Sequence, residues 1–176
     1  KGAITINEFN QTSIPSIYAI GDVTGPPWLA HVASAQGHVA VDHAAGNVPT
    51  PVDYSNIPNC TYCQPQVASI GLTEATAKEK GYKVKIGRFD FRASGKAVAT
   101  GDTTGFVKLV FDEKFGELLG AHIIGSEATE MIAELGIAKA LETTWDELSE
   151  TVHAHPTLSE AIMEAALDAK GMSVHQ

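Results

Sequence analysis

Apolar residues alternate with polar ones through the middle of the chain and then switch to a three- and four-residue spacing. That switch predicts strands followed by helices. Val107, Leu109 and Phe111 point one way, and Leu119, Ala121 and Ile123 are expected to match them, so Gly105–Asp112 and 117–125 read as a hairpin turning near Gly116. Upstream, 59–72 gives one or two strands, Thr73–Lys80 a short helix stopping at Gly81, and Tyr82–Arg92 another strand. The small residues of 93–100 fit a loop or a frayed helix equally well. Beyond the hairpin, Ala128, Met131, Ile132, Leu135 and Ala138 make a helical stripe from a Ser126 cap to about Leu141. A shorter helix follows over Trp145–Glu150. The last, Ser159–Lys170, is expected to bury Leu158, Ile162, Ala165 and Ala169 and to end at Gly171. Strands and helices segregated in this way imply an α+β fold, an antiparallel sheet with helices on one side.

The first quarter reads differently. The opening 1–7 and Ile17–Ile20 look like strands, and a helix is expected from Trp28 to His43 with Leu29, Val32, Ala33, Gln36 and Ala40 on its stripe. Polar residues interspersed with Pro49, Pro51 and Pro58 then read as a linker, placing a domain boundary near Val48. The expected domains are therefore 1–47, the tail end of an α/β domain, and 48–176.

Composition narrows the function. The 176 residues are 44% hydrophobic and carry a net charge of −9, an acidic balance that argues against nucleic acid or an anionic membrane as partner. No apolar run approaches the roughly 20 residues of a bilayer-spanning helix. Two cysteines, Cys60 and Cys63, stand as C-x-x-C. A redox pair, half a zinc site and packed thiols all fit that spacing, and the strand-like setting favours packed thiols. So few cysteines fit a reducing, cytoplasmic setting. His31 and His38 share a helix face and read as ordinary helix residues rather than metal ligands.

Candidate chemistry concentrates at His153–Glu160, H-A-H-P-T-L-S-E. Thr157 and Glu160 can form a capping box, as Thr144 and Glu147 can where no histidine stands nearby. Alternatively, Glu160 can hold one nitrogen of His155 and leave the other as a general acid/base. Glu160 can also do both. His153 has no carboxylate at a matching spacing and reads as structural. Asp22, at the end of the Ile17–Ile20 segment, fits either a turn residue or a carboxylate accepting from a sugar hydroxyl.

The octapeptide resembles the active-site segment of the dihydrolipoamide dehydrogenases, within the flavin-dependent pyridine nucleotide–disulfide oxidoreductases. I-Y-A-I-G-D-V at Ile17–Val23 and P-P-W-L-A-H at Pro26–His31 resemble that family's second flavin-contacting segment, although Trp28 stands where the family usually has Met. The resemblance implies that Asp22 holds the flavin ribitol of FAD, and that Leu29, Ala30 and His31 contact the flavin from a helix N-terminus. It further implies that His155 and Glu160 are the acid–base pair, that Pro156 follows a peptide bond suited to cis, and that the domain forms a homodimer. FAD and NAD are the implied cofactors, and the lipoyl group of a 2-oxo acid dehydrogenase complex is the implied partner. The family's G-x-G-x-x-G loops and C-x-x-x-x-C disulfide do not occur in this sequence. The chain is therefore expected to be the C-terminal part of a longer NAD-dependent enzyme and inactive by itself. A dimerisation module without activity of its own, or a sister enzyme such as a glutathione reductase, is the alternative. Ser159 in T-L-S-E favours the first family over the second, and the C-terminal G-M-S-V-H-Q lacks the cysteine pair of a mercuric reductase. Tyr62–Val67, Y-C-Q-P-Q-V, departs from the family's usual Y-T-H-P-E-V.

Overall fold

The computed structural model describes residues 2–175 and divides into two compact units, one running to Tyr54 and one from Ser55. The division falls inside the proline-rich segment, a few residues past the boundary expected near Val48.

The first unit contains one long helix, α1 (Ala30–Ala44), preceded by a 3-10 turn at Gly21–Thr24. Helix α1 buries Val32, Gln36, Val39 and Ala40. Among the described residues neither of the two expected strands forms, and Lys1, the first position of the 1–7 expectation, lies outside them. Ile17–Ile20 makes an isolated bridge, Tyr18 to Gln11, flanked by the Thr12 N–H donating to the Ile17 carbonyl and the Ala19 N–H to the Asn10 carbonyl, and Ile4 donates its N–H to Val23. Apolar alternation needs a paired neighbour to become a strand. Among the described residues neither segment extends into a continuous ladder, and Ile4, Ile17 and Ile20 stay exposed.

The second unit is built on five strands: β1 (Asn59–Thr61), β2 (Gln66–Gly71), β3 (Val84–Asp90), β4 (Gly105–Asp112) and β5 (Leu118–Gly125). They are all antiparallel, in the order β1-β2-β5-β4-β3. Helices α4 (Ala128–Ala140), α5 (Trp145–Glu150) and α6 (Glu160–Ala169) complete the main layer. Helix α4 packs on β2 and β5, α6 on β3 and β4, and α5 on α6. Ala68, Ile70, Phe89, Val107, Leu109, Phe111, Ala121 and Ile123 share one core with Leu135, Ile162 and Ala165 of these helices. This is the expected α+β arrangement, with one addition. Short α2 (Glu74–Glu79) belongs to a second, smaller cluster, in which Ala77 joins Val110 and Leu119.

Leu119 corrects the expected pairing. The β4–β5 register shifts between Val110 and Phe111, so Phe111 faces Leu118 and Leu119 joins the smaller cluster. A bulge inserts one residue and moves its neighbour to the opposite face, which alternation counted along a single strand cannot register. Two further details were open or differ. Residues 95–100 form a helix, α3 (Gly95–Thr100), capped by Ser94 accepting from the Ala97 N–H at 3.3 Å. Ser126 does not cap α4: Glu127 occupies that position with φ +58° and makes no side-chain cap bond.

One glycine sets the distance between layers. A Cβ on Gly87 of β3 would lie 1.8 Å from the Ala165 carbonyl oxygen and 3.1 Å from the Ala169 Cβ. Helix α6 therefore rests on the bare backbone of β3. Asp168 adds a tie, accepting from the Arg88 N–H at 2.9 Å.

Candidate active site around His155

The loop between α5 and α6 carries the candidate chemistry, and both helices beside it have defined starts. Helix α5 opens with a complete capping box. Thr144 accepts from the Asp146 N–H at 3.2 Å, and Glu147 accepts from the Thr144 N–H at 2.9 Å. Helix α6 opens differently, although its T-x-x-E pattern is the same. Glu160 Oε2 accepts from the Thr157 N–H at 2.8 Å, but the Thr157 hydroxyl donates backward to the Ala154 carbonyl at 2.7 Å. Half of the box is thus present, and Oε1, the other oxygen of Glu160, is free to do something else.

It meets His155. The ring Nδ1 lies 2.8 Å from Glu160 Oε1. A carboxylate accepts, so Nδ1 carries the hydrogen and Nε2 is left with its lone pair. The His155 side chain is 76% exposed, whereas that of Glu160 is 25% exposed. The ring is therefore presented outward while the carboxylate beside it is held by the backbone. Burial pushes the Glu160 carboxyl up, but the Thr157 N–H, the His155 ring and the charge of His153 together outweigh it and hold the group below its ordinary value of 4.5. One side chain performs both tasks that the sequence left as alternatives. The His155–Pro156 peptide is cis.

His155 and Glu160 line a cleft of about 260 Å³ with Ser94, Gly95, Glu164 and His175. A Cβ on Gly95 would come 4.0 Å from the His155 Cε1.

The neighbouring histidine has a partner that no local spacing could show. His153 Nε2 lies 2.8 Å from Glu134 Oε1 and Nδ1 lies 3.0 Å from the Thr151 carbonyl, with the side chain only 6% exposed. Glu134 comes from α4, nineteen positions away. His153 is thus structural, as expected, but it is held by a carboxylate: it ties the 151–157 loop to α4. A second residue missed by the sequence reading is Glu164, which is 3% exposed on a face otherwise filled by alanines and Ile162. Its i+4 relation to Glu160 was a legible signal, because it places both carboxylates on one side of α6.

The remaining candidates lie in the first unit. Asp22 is exposed within the 3-10 turn, and Leu29, Ala30 and His31 form the entry to α1, with Leu29 half-buried and Ala30 and His31 exposed. Here too a polar residue was missed as more than stripe. Gln36, 3% exposed, accepts from the Gly21 N–H at 2.6 Å and donates to the Tyr54 hydroxyl at 2.7 Å, fixing the turn that carries Asp22.

Of the two thiols, only Cys60 packs against the core; burial and then the charge of Glu130 push its pKa up. Cys63 is exposed, which corrects the reading of both thiols as packed, and neither is in a disulfide. The strand β1 ends at Thr61, so Cys63 falls in the turn beyond it. Among the described residues no cluster of three or more His, Cys, Asp or Glu is arranged to hold a metal, and no helix is long and apolar enough to cross a membrane.

Comparison with known proteins places this geometry in context. Residues 57–166 match the dimerisation domain of the pyridine nucleotide-disulphide oxidoreductases, and residues 1–37 match the pyridine nucleotide-disulphide oxidoreductase domain. The dihydrolipoyl dehydrogenase of Rhizobium etli is 53% identical over 97% of this chain, and that of Bacillus subtilis is 52% identical over 99%. The chain spans only 36% and 37% of their respective lengths. Among solved structures, LpdA of Mycobacterium tuberculosis superposes with a TM-score of 0.88 at 28% identity, covering 94% of this chain and 36% of that one. The HOCl-induced flavoprotein disulfide reductase RclA of Escherichia coli gives 0.86 at 25% identity, covering 92% and 37%.

Proposed function

The chain belongs to the pyridine nucleotide-disulphide oxidoreductases, and from that membership we propose that it is the C-terminal part of a cytoplasmic dihydrolipoamide dehydrogenase. The whole enzyme oxidises dihydrolipoamide to lipoamide with NAD as final acceptor, taking its substrate as the lipoyl group of a 2-oxo acid dehydrogenase complex. The observation that carries the reading is the His155–Glu160 pair, an outward imidazole whose Nδ1–H is committed at 2.8 Å to a backbone-anchored carboxylate.

His155 Nε2 takes the proton from one substrate thiol, and the thiolate so formed attacks the enzyme's disulfide. Glu160 holds the tautomer and stabilises the imidazolium that results. Two groups of the first unit would hold a flavin: the exposed carboxylate of Asp22 would accept from a ribitol hydroxyl, and the entry to α1 at Leu29, Ala30 and His31 would offer the positive end of a fifteen-residue helix to an electron-rich ring. FAD, when bound, supplies the two-electron acceptor between disulfide and NAD. The dimerisation domain supports a homodimer, in which His155 serves the disulfide of the partner subunit, and the division 1–47 and 48–176 separates the flavin domain's remnant from the interface domain.

The test is NAD reduction by dihydrolipoamide in the full-length enzyme beside its His155→Gln variant. A loss of roughly 10²- to 10⁴-fold in kcat is expected. Full activity in the variant would return the octapeptide to a capping role, and turnover of glutathione disulfide in place of dihydrolipoamide would move the enzyme to a sister family. The isolated chain is expected to dimerise without binding flavin or reducing NAD, and light scattering with a flavin absorbance scan checks both.

A further inference from the structure

Beside His155 the same cleft holds a second imidazole arranged in the same way. His175 Nδ1 lies 2.6 Å from Glu164 Oε1, and the other oxygen of Glu164 accepts from the N–H groups of Val174 and His175 at 3.2 and 3.4 Å. Glu164 is buried, and all three of these bonds come from residues 174–175. A buried carboxylate needs such partners, because an unsatisfied one costs the full penalty of desolvation. The segment is therefore pinned where it forms a wall of the cleft. Helix geometry fixes the relation of the two pairs: Glu160 and Glu164 are four residues apart, neighbours on one face roughly 6 Å, just over one turn, along α6. In both pairs Nδ1–H is given to the carboxylate and Nε2 is turned away from it. The His175 side chain is 66% exposed.

We propose that His175, oriented by Glu164, is a second hydrogen-bonding contact for the dithiol substrate, placed one helical turn beyond the base and acting on affinity rather than on proton transfer. The assignment rests on the reading of the cleft as the dihydrolipoamide site. His155 meets the reacting thiol, and His175 meets a polar atom of the substrate further along α6. A contact made equally to ground state and transition state changes KM and leaves kcat alone, which separates it from the base.

The experiment is steady-state kinetics of the full-length enzyme with dihydrolipoamide as the varied substrate, comparing wild type, His175→Ala, His175→Gln, Glu164→Gln and His155→Gln. Loss of one neutral hydrogen bond predicts a KM five- to tenfold higher in His175→Ala, roughly, with kcat within about twofold of wild type. His175→Gln, which keeps a hydrogen-bonding group, should recover most of the affinity. Glu164→Gln, whose amide can accept only through one atom, should fall between. An unchanged KM in His175→Ala, with His155→Gln inactive, overturns the inference and leaves the proposed reaction standing. A fall in kcat at unchanged KM in His175→Ala also overturns it. Full activity of His155→Gln overturns the reading on which it rests. His175→Ala also takes a donor from the buried Glu164, so the melting of each variant is recorded and the kinetics are run well below its transition, where a change in KM is not a folding change.

Discussion

Gly87→Ala tests whether the position of α6, and with it both carboxylates of the cleft, is set by the bare backbone of β3. The new methyl group would lie 1.8 Å from the Ala165 carbonyl oxygen, against about 3.4 Å for ordinary contact. Either the helix or the strand must retreat by about 1.5 Å, and neither can do so cheaply. Strand β3 is hydrogen-bonded along Val84–Asp90 to β4, and α6 is anchored by Ala161, Ile162, Ala165 and Ala166, none of them measurably exposed. Overpacking of a tight core costs about 1–3 kcal/mol, and a contact this short against backbone belongs at the upper end. Urea unfolding of the full-length enzyme and of this chain measures it, read from the midpoint at constant slope. The retreat would also carry Glu160 away from the His155 ring. A misplacement of about 1 Å in a catalytic group can cost on the order of 10²-fold in rate, so activity should fall further than the unfolded fraction explains. A Gly87→Ala enzyme within 0.5 kcal/mol of wild type, roughly the scatter of a surface substitution, and of normal kcat would refute the argument that the glycine sets the layer distance.

Other outcomes follow from single contacts. Glu134→Ala strips the buried His153 ring of one partner and should destabilise by about 1–3 kcal/mol in urea unfolding, with a drop in kcat as the 151–157 loop loosens; Glu134→Gln should recover most of both. Thr144→Ala removes the hydroxyl of the complete capping box and should cost about 1 kcal/mol. Since the Glu160 carboxyl is lower in the folded chain than its ordinary value, the stability it contributes is fully present above that value and is lost as pH falls through the lower one. The difference in stability between wild type and Glu160→Gln, followed from pH 7 to pH 3, should therefore shrink only at the acid end, and shrinkage already near neutrality would count against the pairing.

Much of the fold could be read from the sequence because its signals are local. Alternation in Val107–Phe111, the three- and four-residue spacing of Met131, Ile132 and Leu135, and Gly171 with φ +71° at the end of α6 each depend on neighbours within a turn or a pleat. The five-position spacing of Glu160 from His155 left a cap and a His–Glu pair both open, and the resemblance of the octapeptide to a family segment is what turned the reading toward the pair. Where the sequence reading stopped, the deciding contact was distant. The short apolar run 17–20 gained a single bridge, to Gln11, and not the continuous ladder that makes a strand. Leu119 changed face through a bulge defined only by its pairing with β4. The division of labour in Glu160, one oxygen to the Thr157 N–H and one to His155, depended on the Thr157 hydroxyl finding the Ala154 carbonyl instead of the helix. His153 found Glu134 across the α4–α5 layer, and Glu164 found His175 only where the segment after Gly171 folds back along α6. Periodicity specifies which face of an element is apolar; which polar group a buried carboxylate meets is decided when elements pack, because only then is water removed and a partner required.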